Sequence, residues 1–191
     1  MMTGADAMVK CLEKEGVTVL YGYPGVAICP FFNSILDSDI RAVLVRTEQN
    51  AAHMANGYAR VTGRPGVCVA TSGPGATNLL TGIATAYMDS IPLIAITGQV
   101  NTAQLGRDVF QEADITGAAE SFVKFSYIIK DVKDIPRVFK EAFYIANTGR
   151  KGPVLIDVPI DIQNAALEFE YPKEVSLRTY KPTVKGHAIQ I

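Results

Sequence analysis

The sequence predicts an α/β protein: a parallel sheet of about six strands with helices on both faces. Three observations carry this. Short runs such as Gly66-Val67-Cys68-Val69-Ala70 and Pro153-Val154-Leu155-Ile156 are apolar at successive positions, as strands buried on both faces are. Between such runs lie stretches whose apolar residues recur at helical spacing. Gly- and Pro-bearing turns mark the passage from strand to helix, and this alternation requires right-handed crossovers between parallel strands.

Taken in order, Thr3 and Asp6 stand three apart, a capping-box spacing, and Ala5, Met8, Val9 and Leu12 come next at helical intervals until Gly16. Residues 17–23 are β-branched and aromatic and break at Pro24-Gly25, which predicts a buried strand ending in a turn. A helix over 27–36, a strand over 40–45, a helix from Glu48 to about Val61 and a strand over 66–70 continue the alternation. The turn Thr71-Ser72-Gly73-Pro74-Gly75 opens a helix over about 76–88, and residues 92–97 make the next strand. Residues 98–117 are less regular, and 125–129 read as a short strand. Ile135, Val138, Phe139, Ala142, Phe143 and Ala146 form a 3.6-residue stripe ended by Gly149, before a last strand over 153–158. From Pro159 the chain turns polar and proline-bearing, and residues 171–191 carry no periodicity. The expected division is a domain over 1–165 and a linker over 166–191.

With 191 residues and 48% hydrophobic content, the chain can bury one substantial core. Lys and Arg total 18 against 19 for Asp and Glu, so no net field exists to hold nucleic acid or an anionic membrane. The three cysteines, Cys11, Cys29 and Cys68, are widely spaced among apolar residues and read as reduced core residues. No apolar run reaches the length of a membrane span, so a soluble, cytoplasmic protein is expected.

Ligands of open parallel sheets gather beyond the carboxyl ends of the strands, which directs attention to four turns. These are Tyr23-Pro24-Gly25, Arg46-Thr47-Glu48-Gln49, the stretch from Thr71 to Asn78, and Thr97-Gly98-Gln99. Glu48 is placed at a helix start, where an acid either offsets the dipole or faces a ligand; local physics leaves both open. The Gly-Pro-Gly turn matches neither phosphate-binding glycine pattern. His53 lies within the Glu48 helix and His187 in the tail, and a metal site or a triad would need a better-placed partner; no metal ligand is expected. Asp157 and Asp161 flank Pro159 and suit a chain reversal. The segment from Gly106 to Glu112 combines charge, an aromatic ring and an amide, which favours a functional loop.

Together these turns resemble one family over nearly the whole chain. Tyr21-Gly22-Tyr23-Pro24-Gly25, Glu48-Gln49-Asn50-Ala51-Ala52, Gly57-Tyr58-Ala59-Arg60, Thr71-Ser72-Gly73-Pro74-Gly75-Ala76-Thr77-Asn78, Asp89-Ser90-Ile91-Pro92, Thr97-Gly98-Gln99-Val100, Phe110-Gln111-Glu112-Ala113-Asp114 and Gly152-Pro153-Val154 occur in its order and spacing. The chain resembles the N-terminal, pyrimidine-binding (Pyr) domain of the acetolactate synthase catalytic-subunit family. That resemblance implies a thiamine-diphosphate fold and a carboligase that joins two pyruvates, or pyruvate and 2-ketobutyrate, with loss of CO2 in branched-chain amino-acid biosynthesis. It also implies a fragment that is inactive alone, since the tail Tyr180-Lys181-Pro182-Thr183 is similar to the family's passage into a central domain.

By the same resemblance Glu48 is the catalytic residue, sharing a proton with N1′ of the cofactor's aminopyrimidine. Pro24, Gly25, Thr71, Pro74, Asn78 and Gln111 would line the pyrimidine pocket, with Phe110 and Gln111 on the substrate side. Arg150 matches an FAD-contacting arginine, or else is a cation at a helix C-terminus. Mg²⁺ would be held by a diphosphate-binding (PP) domain, and FAD mostly by the central domain. The implied partners are 2-keto acids, the PP domain of a neighbouring subunit in a homo-oligomer, and a regulatory small subunit. Two departures stand out: Val26 where the family has Gly, and Ile160 where it has Lys. The alternatives are the Pyr domain or subunit of another thiamine-diphosphate decarboxylase, oxidase or acetyltransferase, or a non-catalytic pairing domain.

Overall fold

The computed structural model describes residues 1–186 and 189. His187 lies outside the described residues, as does part of the expected linker. In chain order the elements are β1 (Met2–Thr3), α1 (Gly4–Lys14), β2 (Val19–Gly22), α2 (Cys29–Ser34), β3 (Arg41–Leu44), α3 (Glu48–Thr62), β4 (Gly66–Ala70) and α4 (Pro74–Asn78). The second half holds α5 (Leu80–Met88), β5 (Leu93–Gln99), α6 (Ile115–Ala119), β6 (Phe125–Ile128), α7 (Ile135–Asn147), β7 (Pro153–Pro159), α8 (Ile160–Asn164) and β8 (Ala166–Leu167). The six strands β2 to β7 form one parallel sheet in the order β3-β2-β4-β5-β7-β6. The α/β sheet read from sequence is therefore present, with helices packed on both faces.

The two faces differ in side-chain size, and that difference sets how closely each helix approaches the sheet. Along β4, β5 and β7, Val67, Val69, Ile94, Ile96, Val154 and Ile156 face α1, α2 and α7 and meet Met8, Leu12, Phe31, Phe139 and Phe143. The alternate residues Cys68, Ala70, Leu93 and Ala95 face Ala51, Ala52 and Ala55 of α3 and Ile83 and Ala86 of α5. Small residues let α3 and α5 approach closely. A Cβ on Gly82 would lie 2.4 Å from the Ala52 Cβ, and one on Gly66 would lie 2.0 Å from the Ala55 carbonyl oxygen. The chain thus tethers α3, which begins at Glu48, tightly to the sheet.

The helix ends are explained by local chemistry. At α1, Thr3 Oγ1 accepts from the Asp6 amide and Asp6 Oδ2 accepts from the Thr3 amide, both at 3.1 Å, completing the capping box that the spacing predicts. Thr3→Ala is expected to lower stability by about 1 kcal/mol; an unchanged urea midpoint would speak against this role. Gly63 ends α3 in the left-handed region at φ 71°, donating its amide to the Ala59 carbonyl at 2.9 Å.

Four expectations change. The helix over 27–36 is broken into a 3-10 turn at Val26–Ile28, α2, and a second 3-10 turn at Ile35–Asp37. Pro30 sits in the first turn of α2, where its missing amide proton is harmless. The helix expected over about 76–88 starts at Pro74 and is divided at Leu79. The irregular 98–117 stretch ends in α6, one turn capped by Asp114, whose carboxylate accepts from the Gly117 amide at 2.9 Å. After Pro159 the chain forms α8 and then β8, which pairs antiparallel with β1 through Met2–Leu167 and Thr3–Ala166. Elements this short carry no periodic stripe to read.

Beyond β8, Phe169, Tyr171, Leu177 and Tyr180 are partly buried against the core. Tyr171 donates its hydroxyl to Glu15 at 2.6 Å. Tyr180 donates to the Thr148 carbonyl at 2.9 Å.

Candidate functional site

Strand order reverses at β2, with β3 on one side and β4 on the other. Connections leaving such a point in opposite directions open a crevice beyond the strands' carboxyl ends. The turns after β2 and β4 meet there. A Cβ on Gly25 would lie 2.6 Å from Thr71 Cβ, and Thr71 Oγ1 accepts from the Ala27 amide at 3.2 Å. Glycine is required at this contact because the two turns touch through backbone and a β-branched side chain.

Glu48 enters the same crevice from the first position of α3, half-buried. The Thr47 side chain makes no capping bond, so the free amides and the dipole favour a carboxylate at this end. Asn78 Nδ2 donates to Glu48 Oε2 at 3.0 Å. Glu48 Oε1 accepts no hydrogen bond among the described residues. Opposite it, a Cβ on Gly75 would lie 2.7 Å from Thr71 Cγ2 and 3.4 Å from Glu48 Oε1. One carboxylate oxygen is therefore anchored, and the other is open above a backbone that lacks a side chain. Pro24 and Pro74 flank Gly25 and Gly75 and are exposed.

The turn holding Phe110 and Gln111 closes over this region. Gly73 has φ 58°, and a Cβ there would come within 2.9 Å of the Gln111 carbonyl oxygen. Gln111 is itself left-handed at φ 60°, which costs about 1–2 kcal/mol for a residue with a side chain. Glu112 offsets that strain. Its carboxylate accepts from the amides of Gly106 and Val109, and these bonds hold it below the ordinary carboxylate pKa. Phe110 is 87% exposed. Val26, Ala27, Ser72, Phe110, Gln111 and Ile160 line a cavity of about 280 Å³ in which no lining residue is charged.

Of the residues singled out from sequence, Pro24, Gly25, Glu48, Thr71, Pro74, Asn78, Phe110 and Gln111 share this carboxyl edge. Arg150 does not. It precedes β7 at the amino edge, donates to Ser90 Oγ at 2.8 Å and to the Tyr87 carbonyl at 3.2 Å, and lies over the Tyr87 ring. Its guanidinium lies at the C-terminal end of α5 rather than at that of α7 beside Gly149. A larger cavity of about 390 Å³, lined by Lys14, Val17, Tyr58, Gly63 and Phe143, also opens at the amino edge and receives none of the site residues.

His53 is exposed on α3. Burial pushes the Cys68 thiol up to about 12, and Cys11 is buried too. Cys29, expected in the core, is exposed at the start of α2, because the break before Pro30 turns it outward.

Asp157 corrects the sequence reading most sharply. It is not part of a surface reversal but is buried at 1% exposure within β7. Thr97 Oγ1 donates to its Oδ1 at 2.6 Å, and Gln99 Nε2 donates to its Oδ2 at 2.9 Å. Desolvation pushes its pKa up to about 7, Asp114 adds to the rise, and the two hydrogen bonds oppose it. The strand apolarity of 153–158 hid this residue, and the paired positions Thr97 and Gln99 on the neighbouring strand were the available signal. Asp161 accepts from both the amide and the hydroxyl of Thr102, at 3.0 and 2.5 Å, tying the next loop to α8.

Residues 2–118 match the family model described as thiamine pyrophosphate enzyme, N-terminal TPP binding domain, TPP being thiamine diphosphate. The whole chain is similar to a probable acetolactate synthase large subunit of Methanocaldococcus jannaschii, at 52% identity and covering 33% of that protein. It is similar also to the acetolactate synthase large subunit of Corynebacterium glutamicum, at 51% identity over 30% of that protein. For acetolactate synthase isozyme 3 large subunit of Escherichia coli the figures are 50% and 34%. The chain thus spans about a third of the length of the curated relatives it matches. The family model covers the crevice and every element that builds it up to α6, and on that match the chain belongs to the N-terminal TPP-binding domain family of thiamine pyrophosphate enzymes.

Proposed function

We propose that this chain is the Pyr domain of an acetolactate synthase catalytic subunit and that Glu48 binds and activates the aminopyrimidine of thiamine diphosphate. The observation that carries the reading is the half-anchored carboxylate: Asn78 holds Oε2 while Oε1 faces the crevice across Gly75. A heteroaromatic ring with a basic nitrogen fits such a place, because that nitrogen can share a proton with the open oxygen. When bound, the cofactor supplies the carbanion chemistry by which one 2-keto acid loses CO2 and its acyl carbon joins a second. The chain's own work is narrower. Glu48 holds a proton at the ring nitrogen, Thr71 and Gly25 set the floor of the pocket, and Gln111 and Phe110 border the side from which substrate enters.

In this reading residues 1–165 form the domain proper, and 166–191, although β8, Tyr171 and Tyr180 lie against it, lead toward a central domain. Mg²⁺ and the diphosphate are held by a PP domain of a neighbouring subunit, and FAD mostly by the central domain with Arg150 at its margin. A regulatory small subunit completes the assembly. Val26, 75% exposed, and Ile160 border the neutral cavity and favour an aliphatic substrate group there.

The complete enzyme, given pyruvate, thiamine diphosphate and Mg²⁺, is expected to release one CO2 for each acetolactate formed. Release of CO2 with acetaldehyde and no carboligation product would assign the chain to a decarboxylase instead. The chain by itself is expected to be inert and to bind the cofactor weakly, since the diphosphate and its metal provide much of the affinity. Calorimetric titration with cofactor and Mg²⁺ should show little heat, and tight, submicromolar-class binding would contradict the division of labour.

A further inference from the structure

We propose that Asp157, outside the crevice, is a positioning residue that holds the Phe110–Gln111 turn in place through the side-chain amide of Gln99. Gln99 is 3% exposed, and each end of its side-chain amide meets partners of one polarity. Its Nε2 donates to Asp157 Oδ2 at 2.9 Å and to the Ala113 carbonyl at 3.0 Å, while its Oε1 accepts from the Val100 amide at 2.9 Å. Two acceptors on one end and a donor on the other admit a single orientation of the amide. The bond to Ala113 spans the base of the whole 100–112 loop, joining its exit to its entry.

Within that loop, Gln111 is left-handed and its backbone lies against Gly73 at the crevice. A strained turn keeps its place only when its surroundings over-determine it. The Glu112 bonds to Gly106 and Val109 fix the turn internally. The Gln99 clamp fixes it relative to the sheet. Asp157 supplies the acceptor that turns the amide this way and is itself held by Thr97 from the other side. No bond of Asp157 reaches Glu48, Thr71 or Gln111, so its effect on the site passes through Gln99. Its consequence for catalysis rests on the proposed cofactor role of Glu48; its effect on the loop does not.

The test is nuclear magnetic resonance of the isotopically labelled 191-residue chain, with no cofactor. The Gln99 side-chain amide protons should exchange with solvent far more slowly than those of exposed Gln104. Asp157→Ala removes both acceptors, leaving Gln99 Nε2 with the Ala113 carbonyl alone. Exchange at the Gln99 side chain and at the backbone amides of 106–112 should then rise by at least about tenfold, the scale of one lost hydrogen bond. Amides in β4 and β5 should not change.

Thr97→Val, which removes the other carboxylate contact and spares Gln99, should leave the loop protected. Gln99→Leu should reproduce the acceleration with Asp157 intact. The proposal is overturned if Asp157→Ala folds and the loop keeps its protection, or if Thr97→Val loosens the loop as much. Wild-type Gln99 protons exchanging as fast as those of Gln104 would overturn it without any variant. None of these outcomes depends on which reaction the enzyme performs.

Discussion

Replacing Glu48 by Gln is expected to lower kcat of the complete enzyme by roughly 10²–10⁴-fold, the usual range for a lost acid–base group. The fold should survive. Gln can still accept from Asn78 Nδ2 with its carbonyl oxygen, and losing a negative charge at the start of α3 costs only about 0.3–1 kcal/mol. The loss falls at the crevice face, where an amide NH₂ would replace an oxygen that can take and hold a proton. Cofactor affinity should fall less than kcat, because in the proposed division of labour most of the cofactor's charge is held by another domain. The deciding measurement is exchange of the cofactor's C2 proton for deuterium at saturating cofactor, wild type against variant. Equal rates would return Glu48 to the role of an acid that steadies a helix start.

The second large effect concerns pH. Asp157 is buried, and desolvation raises its pKa from 3.8 to about 7. A carboxyl group raised in the folded state holds its proton longer there than in the unfolded chain. Its contribution to stability is thus complete below the unfolded pKa and is lost as pH rises toward the folded one. The shift of about three units corresponds to roughly 4 kcal/mol. Wild type should therefore lose about that much stability relative to Asp157→Asn between pH 4 and 7, with no further change above. Urea denaturation of both proteins across this range provides the difference curve. Asp6 and Glu13, whose pKa values are lowered, act in the opposite direction but cancel between the two proteins. Parallel curves would mean that Asp157 stays ionised throughout and that Thr97 and Gln99 fully compensate its burial.

These two carboxylates were legible to different degrees. Glu48 stands in a turn between a strand and a helix, where local physics left a helix-start acid and a ligand-facing acid both open, and only the resemblance to a family favoured the second. Asn78, thirty residues on, could be named only because the motif around it resembled a family's. No periodicity connects the two; they meet because α3 and α4, which begin after β3 and β4 on either side of β2, open at the same crevice. Asp157 was misread because a lone acid in an apolar run next to proline suggests the end of a strand. Its partners Thr97 and Gln99 are about sixty residues away, and only pairing of β5 with β7 in register puts Thr97 opposite Asp157.

Arg150 shows the same limit from the other side. Its sequence neighbourhood, beside Gly149 and after a long amphipathic helix, points to α7 as the helix it serves. The tertiary fold gives it to α5 instead, through Tyr87 and Ser90. Charge at a helix end is a local rule, but which end lies within reach of a long side chain is decided by how the helices are laid across the sheet.

By itself the sequence determined the α/β class, the order of the main strands and helices, the capping box at Thr3 and the glycines that the turns require. All of these rest on interactions within a few residues, or on alternation that one strand displays alone. Only the tertiary structure decided where the strand order reverses, which of the four turns converge, which oxygen of Glu48 is left open, and that Gln99 joins Asp157 to the Gln111 loop. Those outcomes depend on pairing and packing between segments far apart in the chain, and the energy of such contacts is written in no single segment.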